Sequence, residues 1–410
     1  MYNNYNPRAR KMQGDKTNKI RRNMKIAAIT AEFNPLHNGH LRLIEKARSL
    51  SPDILLVILN GEVTQRGELA LLDKYTRARH AVTAGADVVI ELPQIFGAAC
   101  AERFADAAVK LLSHIPAEER ILLFGSEEGE LLPLENAAEI LSEEPVELSV
   151  DLRELMDMGF SYPAARAEAF AQYTKQRGIP VADLTKPNNI LAIEYLRAIL
   201  TRGGVTPYTI KRSGDYHDDA IEITEPSASA IRSSLREEKY EEALAALPDF
   251  VRKDAENAPK TDDLSPIVLY KLGELSPRDL AKIADVSEGI ENRILRLARE
   301  NCDLDSLVKA VSTKRYTESR VRRILISALL GIDKKRFESA IDEPPYYKVL
   351  AVKKERTDIL SHLSKAGRLL TGEEEARESN LPSAVIDAKA HDLYRVAKRT
   401  LTEDGMLLLS

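Results

Sequence analysis

"KIAAITAEFNPLHNGHLRLIEKARSL", Lys25 to Leu50, changes its periodicity halfway along. Lys25–Phe33 carries a continuous apolar run, the pattern of a strand buried on both faces. Gly39–Leu50 spaces its apolar residues as an amphipathic helix does. Between them "FNPLHNGH" places His37 and His40 three apart around Gly39, in a chain with only seven histidines. At i and i+3 of a first helical turn the two side chains share a face. They lie about 4.5 Å apart along the axis, near the spacing of adjacent phosphates. The helix start adds unpaired N–H groups and partial positive charge, which favour an anion. Gly39 lets a ligand approach the backbone, and Pro35 stiffens the turn. The plain alternative is two incidental polar residues at a helix start. Their place directly after a buried strand and "FNP" favours phosphate binding.

The same alternation continues outward. "DILLVIL", "ADVVIEL" and "RILLFG" read as strands, with "DKYTRARHAVTAG" and "AERFADAAVKLLSHI" as helices between them. Such repeats predict an α/β fold with a Rossmann-like parallel sheet covered on both faces. Ligands in such sheets sit beyond the carboxyl ends of the strands, at the switch point. An acidic stretch over residues 127–158 reads as a solvated insertion. The helix "PNNILAIEYLRAILTRGG", a strand "PYTIKR" and a helix from Ser227 complete this part. From about residue 246 amphipathic helical segments dominate. The last 70 residues mix strand-like "YYKVLAVK" and "RLLTG" with helices, which predicts a small α/β cap.

Composition narrows the class. Apolar residues at 44% and charged residues at 30% read as a globular chain, and no apolar run reaches the roughly 20 residues a membrane span needs. Cys100 and Cys302 stand far apart without a CxxC, against a zinc site or disulfide framework and in favour of a cytoplasmic location. The first 23 residues are basic with no apolar stretch behind them, and read as a disordered extension ahead of Met24 rather than a signal peptide. No protein partner is indicated.

A second phosphate candidate is "SASAIR", Ser227–Arg232, which opens a helix with hydroxyls, free amides and an arginine. Ser229 and Arg232 there suit the β and γ phosphates of a triphosphate. Taken alone the stretch is equally well an N-cap.

Together, "FNPLHNGH" and "SASAIR" resemble the HxGH nucleotidyltransferases. The ordered set "AEFNPLHNGH", "TQRGE", "DKYTRA", "GADVVIELP", "LLFGSEEG", "PNNILAIEY" and "IKRSGDYHD" resembles more specifically the tRNA(Met) cytidine acetate ligase family. The resemblance covers residues 24–235 and continues more loosely to the C-terminus. It implies ATP bound by Thr30, Ala31, Glu32, Phe33, Asn34, Pro35, Asn38 and Gly39, with His37 and His40 on the phosphates. It also implies Gly125, one of Asn188 and Asn189, and Arg212 around the nucleotide. Where the family usually reads S-G-N-F-V-Q-R-G, this chain has "LNGEVTQRG", Leu59–Gly67. The departure falls at the end of the second strand, on the expected acetate side, and Gln65 and Arg66 are retained as catalytic candidates.

The implied reaction joins acetate to the α-phosphate of ATP, giving acetyl-AMP and pyrophosphate. Acetyl then passes to the wobble cytidine of elongator tRNA(Met). Acetate is already ionised near neutral pH and needs no protein nucleophile. Positioning, charge stabilisation and Mg²⁺ are expected to carry catalysis. Glu32 and Glu91 are candidates to place the metal or the amine.

The expected RNA surface is "VKAVSTKRYTESRVRRI", with Lys309, Lys314, Arg315, Arg320, Arg322 and Arg323 against Glu318. The expected regions are therefore a basic extension (1–23), an ATP-binding catalytic domain (24–245), a helical tRNA-binding region (246–335) and a small α/β region (336–410). Two other readings stay open. A small-molecule adenylyltransferase shares the histidine turn but leaves the basic helical half unexplained. A non-catalytic nucleotide- and RNA-binding protein draws its support from the altered Leu59–Gly67 loop.

Overall fold

The computed structural model describes residues 24–212, 227–237, 239–287 and 289–410. The basic extension and the Ser213–Asp218 end of the "IKRSGDYHD" block lie outside them. Strands β1 (Lys25–Ala31), β2 (Ile54–Asn60), β3 (Val88–Leu92), β4 (Glu119–Ser126) and β5 (Thr206–Lys211) pair in parallel in the order β5-β4-β1-β2-β3. The chain runs outward from β1 to β3 and then returns to place β4 on the other side of β1. The switch point therefore lies between β1 and β4, at the end of the strand that leads into the histidine turn.

The unbroken apolar runs arise because alternate residues feed two cores. Ile26 and Ala28 face one core with Phe104, Leu112, Ala192 and Tyr195. Ala27 and Ile29 face the other with Ile44, Tyr75, Ala78 and Val82. All seven residues of β2 are buried, and each large aliphatic side chain so placed contributes about 1.5–3 kcal/mol. Helices α1 (Asn38–Ser49) and α2 (Lys74–Thr83) cover the second core; α3 (Ala101–His114), α4 (Leu131–Glu143) and α5 (Pro187–Arg202) cover the first. The acidic stretch is thus not simply solvated, because α4 buries Leu134, Ala137, Ala138 and Leu141. The following helix, Val146–Asp157, buries only Leu148.

The C-terminal stretch departs from the expected cap. Strand β6 (Tyr346–Lys353) pairs antiparallel with β3, opposing Val88 to Val352, and so extends the central sheet. Strands β7 (Arg368–Leu370) and β8 (Leu407–Leu409) pair with β6. All but the last residue of β6 is buried. The pattern of a fully apolar strand is the same for an isolated unit and for a sheet extension, so sequence periodicity does not separate them. Helix α6 (Ala228–Arg236), helix α7 (Glu318–Leu330) and helix α8 (Pro382–Lys398) complete the elements that bear on the site. Among the described residues, no helix is long and apolar enough to cross a membrane.

Candidate active site

His37 is the N-cap of α1, and its Nδ1 accepts a hydrogen bond from the Gly39 amide at 3.1 Å. His40 sits one turn on, and its Nδ1 accepts from the His37 amide at 3.3 Å. The two rings lie 3.8 Å apart, and the edge of Phe33 packs on His40 at 5.0 Å. Because both Nδ1 atoms accept, each neutral ring carries its proton on Nε2. Among the described residues, His37 Nε2 is buried with no hydrogen-bond partner, a donor left unpaired at a helix N-terminus. Burial, assisted by Arg212, lowers the pKa of His37 to about 4. His40 is also held well below its usual range, by burial, then His37, then Arg212. The turn therefore presents neutral donors.

The rest of the β1 loop is held from below. Asn34 is buried; its Oδ1 accepts from the Leu71 amide, and its carbonyl accepts from Arg232 Nη1 at 2.8 Å. The Asn34–Pro35 peptide is cis. The Asn38 amide donates to the Ala246 carbonyl. Thr30 Oγ1 hydrogen-bonds the Tyr195 hydroxyl, and Ala31 ends β1 partly exposed. Arg77, absent from the sequence-derived candidates, is a buried brace. It donates to the carbonyls of Glu32, Asn60, Gly61 and Leu72 at 2.5–2.9 Å, tying the ends of β1 and β2 together. Its signal lay inside the "DKYTRA" block, which gave it no role.

On the SASAIR side, Ser227 is the N-cap of α6 and accepts from the Ala230 amide, so the plain reading holds for that residue. Ser229 Oγ receives Arg66 Nη1 and Arg232 Nη2, each at 3.4 Å. Two guanidinium groups from distant segments thus converge on one hydroxyl. Burial lowers the pKa of Arg232, with Glu68 opposing at 3.8 Å; it stays cationic.

At the switch point a Cβ on Gly125 would stand 2.8 Å from Arg212 Cγ, so glycine lets that arginine lie across β4. Arg212 Nη1 donates to Asn188 Oδ1 at 2.5 Å. Asn189 is buried and its Oδ1 caps the Glu127 and Glu128 amides, while Asn188 is only partly buried and faces Arg212. Glu127, another residue the sequence reading missed, accepts from Asn188 Nδ2 at 2.6 Å and from the Asn189 amide at 2.7 Å.

The opposite wall is the Leu59–Gly67 loop. Glu32 Oε1 accepts from Asn60 Nδ2 at 3.1 Å and from the Gln65 amide at 2.7 Å. Among the described residues, Gln65 Nε2 is buried with no hydrogen-bond partner. The loop's unusual Glu62 is fully buried, bonded to His391 Nδ1 at 2.7 Å and to the Lys74 amide at 3.1 Å. Behind it lies a buried ionic cluster. Lys74 Nζ meets Glu91 and Glu373, each at 2.9 Å, and Lys348 Nζ meets Glu373 at 2.6 Å and Glu91 at 3.1 Å. Burial opposes charge there, but the two lysines win, and the Glu373 carboxyl is held below its usual range. Glu91 is fully buried between these lysines, so it does not reach a ligand and is removed from the candidates.

The basic stripe divides. Lys309, Lys314 and Arg315 are exposed. Arg320 Nη2 donates to the Asp285 carbonyl and Ser287 Oγ. Arg322 pairs with Asp305 at 2.6 Å and Arg323 with Asp285 at 3.3 Å; their side chains are only 16% and 15% exposed. The three arginines of α7 are thus largely turned into the protein.

A family model described as HIGH Nucleotidyl Transferase matches residues 24–406. The chain is 39% identical to the tRNA(Met) cytidine acetate ligase of Caldanaerobacter subterraneus subsp. tengcongensis, over 84% of this chain and 88% of that protein. It is 37% identical to the protein of the same name from Thermoanaerobacter sp. (strain X514), over 93% and 98%. Among solved structures it resembles apo Thermotoga maritima TmcAL with a TM-score of 0.82 at 29% identity, covering 94% of this chain and 100% of that one. The same protein bound with alpha-thio ATP gives a TM-score of 0.81 at 28% identity.

Proposed function

We propose a function from one premise: the chain belongs to the tRNA(Met) cytidine acetate ligase family of HIGH nucleotidyl transferases. It is an ATP-dependent ligase that activates acetate as acetyl-AMP and transfers the acetyl group to the wobble cytidine of elongator tRNA(Met). In the first step a carboxylate oxygen of acetate attacks the α-phosphorus and pyrophosphate leaves. In the second the cytidine exocyclic nitrogen attacks the acetyl carbonyl, AMP leaves, and the nitrogen loses a proton. Relatives with the ligase name align with most of the chain, helical half included, so neither the small-molecule adenylyltransferase nor the non-catalytic binder is favoured.

The roles of individual residues are our reading. The observation that carries it is the buried Nε2 of His37, without a partner among the described residues, at the helix start beside the switch point. His37 and His40 donate to the triphosphate from Nε2, aided by the α1 N-terminus. Arg66 and Arg232, which meet at Ser229, hold the β and γ phosphates and stabilise the leaving pyrophosphate. Asn188 and Arg212 border the nucleotide across Gly125, with Asn189 and Glu127 fixing their turn. Gln65 offers its amide to the acetate. Among the described residues, no group of three or more His, Cys, Asp or Glu side chains could hold a metal ion. The Mg²⁺ we expect would therefore be carried by the triphosphate and supply charge neutralisation there. The exposed Lys309, Lys314 and Arg315 are the RNA-facing cations, and the setting is cytoplasmic. Residues 24–245 and 336–410 share the catalytic sheet, with 246–335 as the RNA-facing region.

Acetate-dependent exchange of labelled pyrophosphate into ATP, with and without nicotinamide mononucleotide in place of acetate, tests the reading. Exchange only with acetate, followed by acetyl transfer to elongator tRNA(Met), is expected. Exchange only with the mononucleotide, or with neither, overturns it.

A further inference from the structure

The turn Gln65–Gly67 is held from two sides that are remote in sequence. From the catalytic sheet, Glu32 Oε1 accepts from its first amide. From the helical region, Arg323 Nη1 donates to the Gln65 carbonyl at 3.4 Å. The backbone of α7 also presses directly on the turn. A Cβ on Gly67 would stand 2.7 Å from the Arg323 nitrogen and 2.8 Å from the Arg322 carbonyl carbon. Gly67 has φ +74°, so both its conformation and its space exclude a side chain.

Arg323 is itself aimed. Its Nε donates to Asp285 Oδ2 at 3.3 Å, and Asp285 is held in a left-handed turn, φ +64°, whose carbonyl accepts from Arg320. One fork therefore spans the Asp285 turn and the Gln65 carbonyl, and a planar guanidinium is the side chain that can serve both at once. The turn it supports carries Gln65, whose side-chain Nε2 is buried with no hydrogen-bond partner among the described residues, and Arg66, which donates to Ser229.

We infer that Arg323 is a positioning residue for the acyl end of the site, holding the Gln65–Gly67 turn from the helical region. This rests on the proposed role of Gln65 toward acetate. It assigns Arg323 to the first half-reaction and not to RNA phosphates. It also means that the acetate pocket is completed only by the region that receives the RNA.

Acetyl-AMP formation measured without RNA tests this. In Arg323→Gln the KM for acetate should rise about 10-fold, while the KM for ATP stays within about twofold, because a misplaced turn costs the ligand it contacts. Arg323→Lys, with one donor group for two acceptors, should fall between the two. Asp285→Asn suits the same left-handed turn but loosens the arginine. It should raise the acetate KM by about threefold, and it decides the matter if Arg323→Gln fails to fold. An unchanged acetate KM in a folded variant overturns the inference. Equal rises in both KM values with a lowered melting temperature also overturn it, since they report only a structural contact. If the wild-type chain makes no acetyl-AMP, the functional reading fails instead.

Discussion

At the start of α1, the proposed phosphate end, two histidines three residues apart cap one helix and orient each other. Gly39, His37 and His40 settle the geometry among themselves. At the Leu59–Gly67 loop, the proposed acyl end, the side-chain contacts reach far along the chain. Gln65 is gripped by Arg323, 258 residues away, and Glu62 by His391, 329 residues away; Tyr75 donates to Glu373, 298 residues away. The first arrangement uses backbone amides that every helix start leaves unpaired, and little else. The second uses buried charges, each tolerable only while its partners stay in place. The histidine turn thus depends mainly on its own helix start, while the Leu59–Gly67 loop depends on partners from across the chain.

The largest expected effect breaks that dependence. Lys348→Met removes one of two cations between Glu91 and Glu373, leaving uncompensated buried carboxylate. Chemical denaturation should show a loss of about 3–5 kcal/mol. A loss below about 1 kcal/mol would mean the cluster is as forgiving as an exposed one.

His37→Ala should cost less stability and more chemistry. Losing the cap lowers stability by about 1 kcal/mol. Acetyl-AMP formation should fall at least about 100-fold, near 3 kcal/mol in the transition state. His37→Asn sharpens the contrast, since asparagine caps well but lacks the far nitrogen. It should recover the melting temperature and not the rate; recovery of both would remove His37 from the phosphates. The pH dependence follows from the same residue. A histidine with folded pKa near 4 binds fewer protons folded than unfolded between pH 6.5 and 4. The ligand-free protein should therefore lose stability as pH falls through that window, and His37→Asn should flatten the curve.

Arg232→Ala should cut turnover about 10-fold to 100-fold, and Arg232→Lys should restore only part, because the fork to Asn34 and Ser229 is lost. Wild-type ATP affinity and turnover in Arg232→Ala would sink that assignment. The smallest effect belongs to the surface. Lys309→Gln with Lys314→Gln should weaken tRNA binding only modestly and make its salt dependence shallower by nearly one unit for each phosphate left unneutralised. An unchanged slope would move the RNA elsewhere.

The legible part of the molecule is the part with local causes. Strand runs, the histidine turn and the serine–arginine helix start all follow from residues within about ten positions of one another. The Lys348–Glu91 and His391–Glu62 pairs have no such signature. A lysine inside "YYKVLAVK" reads as a strand-edge charge until β3 is placed beside it. The partners of the basic stripe are hidden for a related reason. Helical spacing puts Arg320 and Arg323 on one face, but sequence does not say that the Asp285 turn already occupies it. Glu91 looked available at a strand end and is fully enclosed. Burial also separates Asn188 from Asn189, a difference the adjacent letters do not show.

The position of β6 has a consequence for how the protein comes into being. A ribosome releases the nucleotide-binding strands first, but the edge of β3 stays unpaired until Tyr346–Lys353 has emerged. During that interval Glu91 and Lys74 lack Lys348, and a flat apolar strand offers its free backbone groups to any neighbour. The central sheet cannot be finished early in synthesis and then await the helical region. The whole polypeptide must be in hand before either half is closed, so a nascent chain halted after residue 335 is a candidate for chaperone retention and not a smaller enzyme.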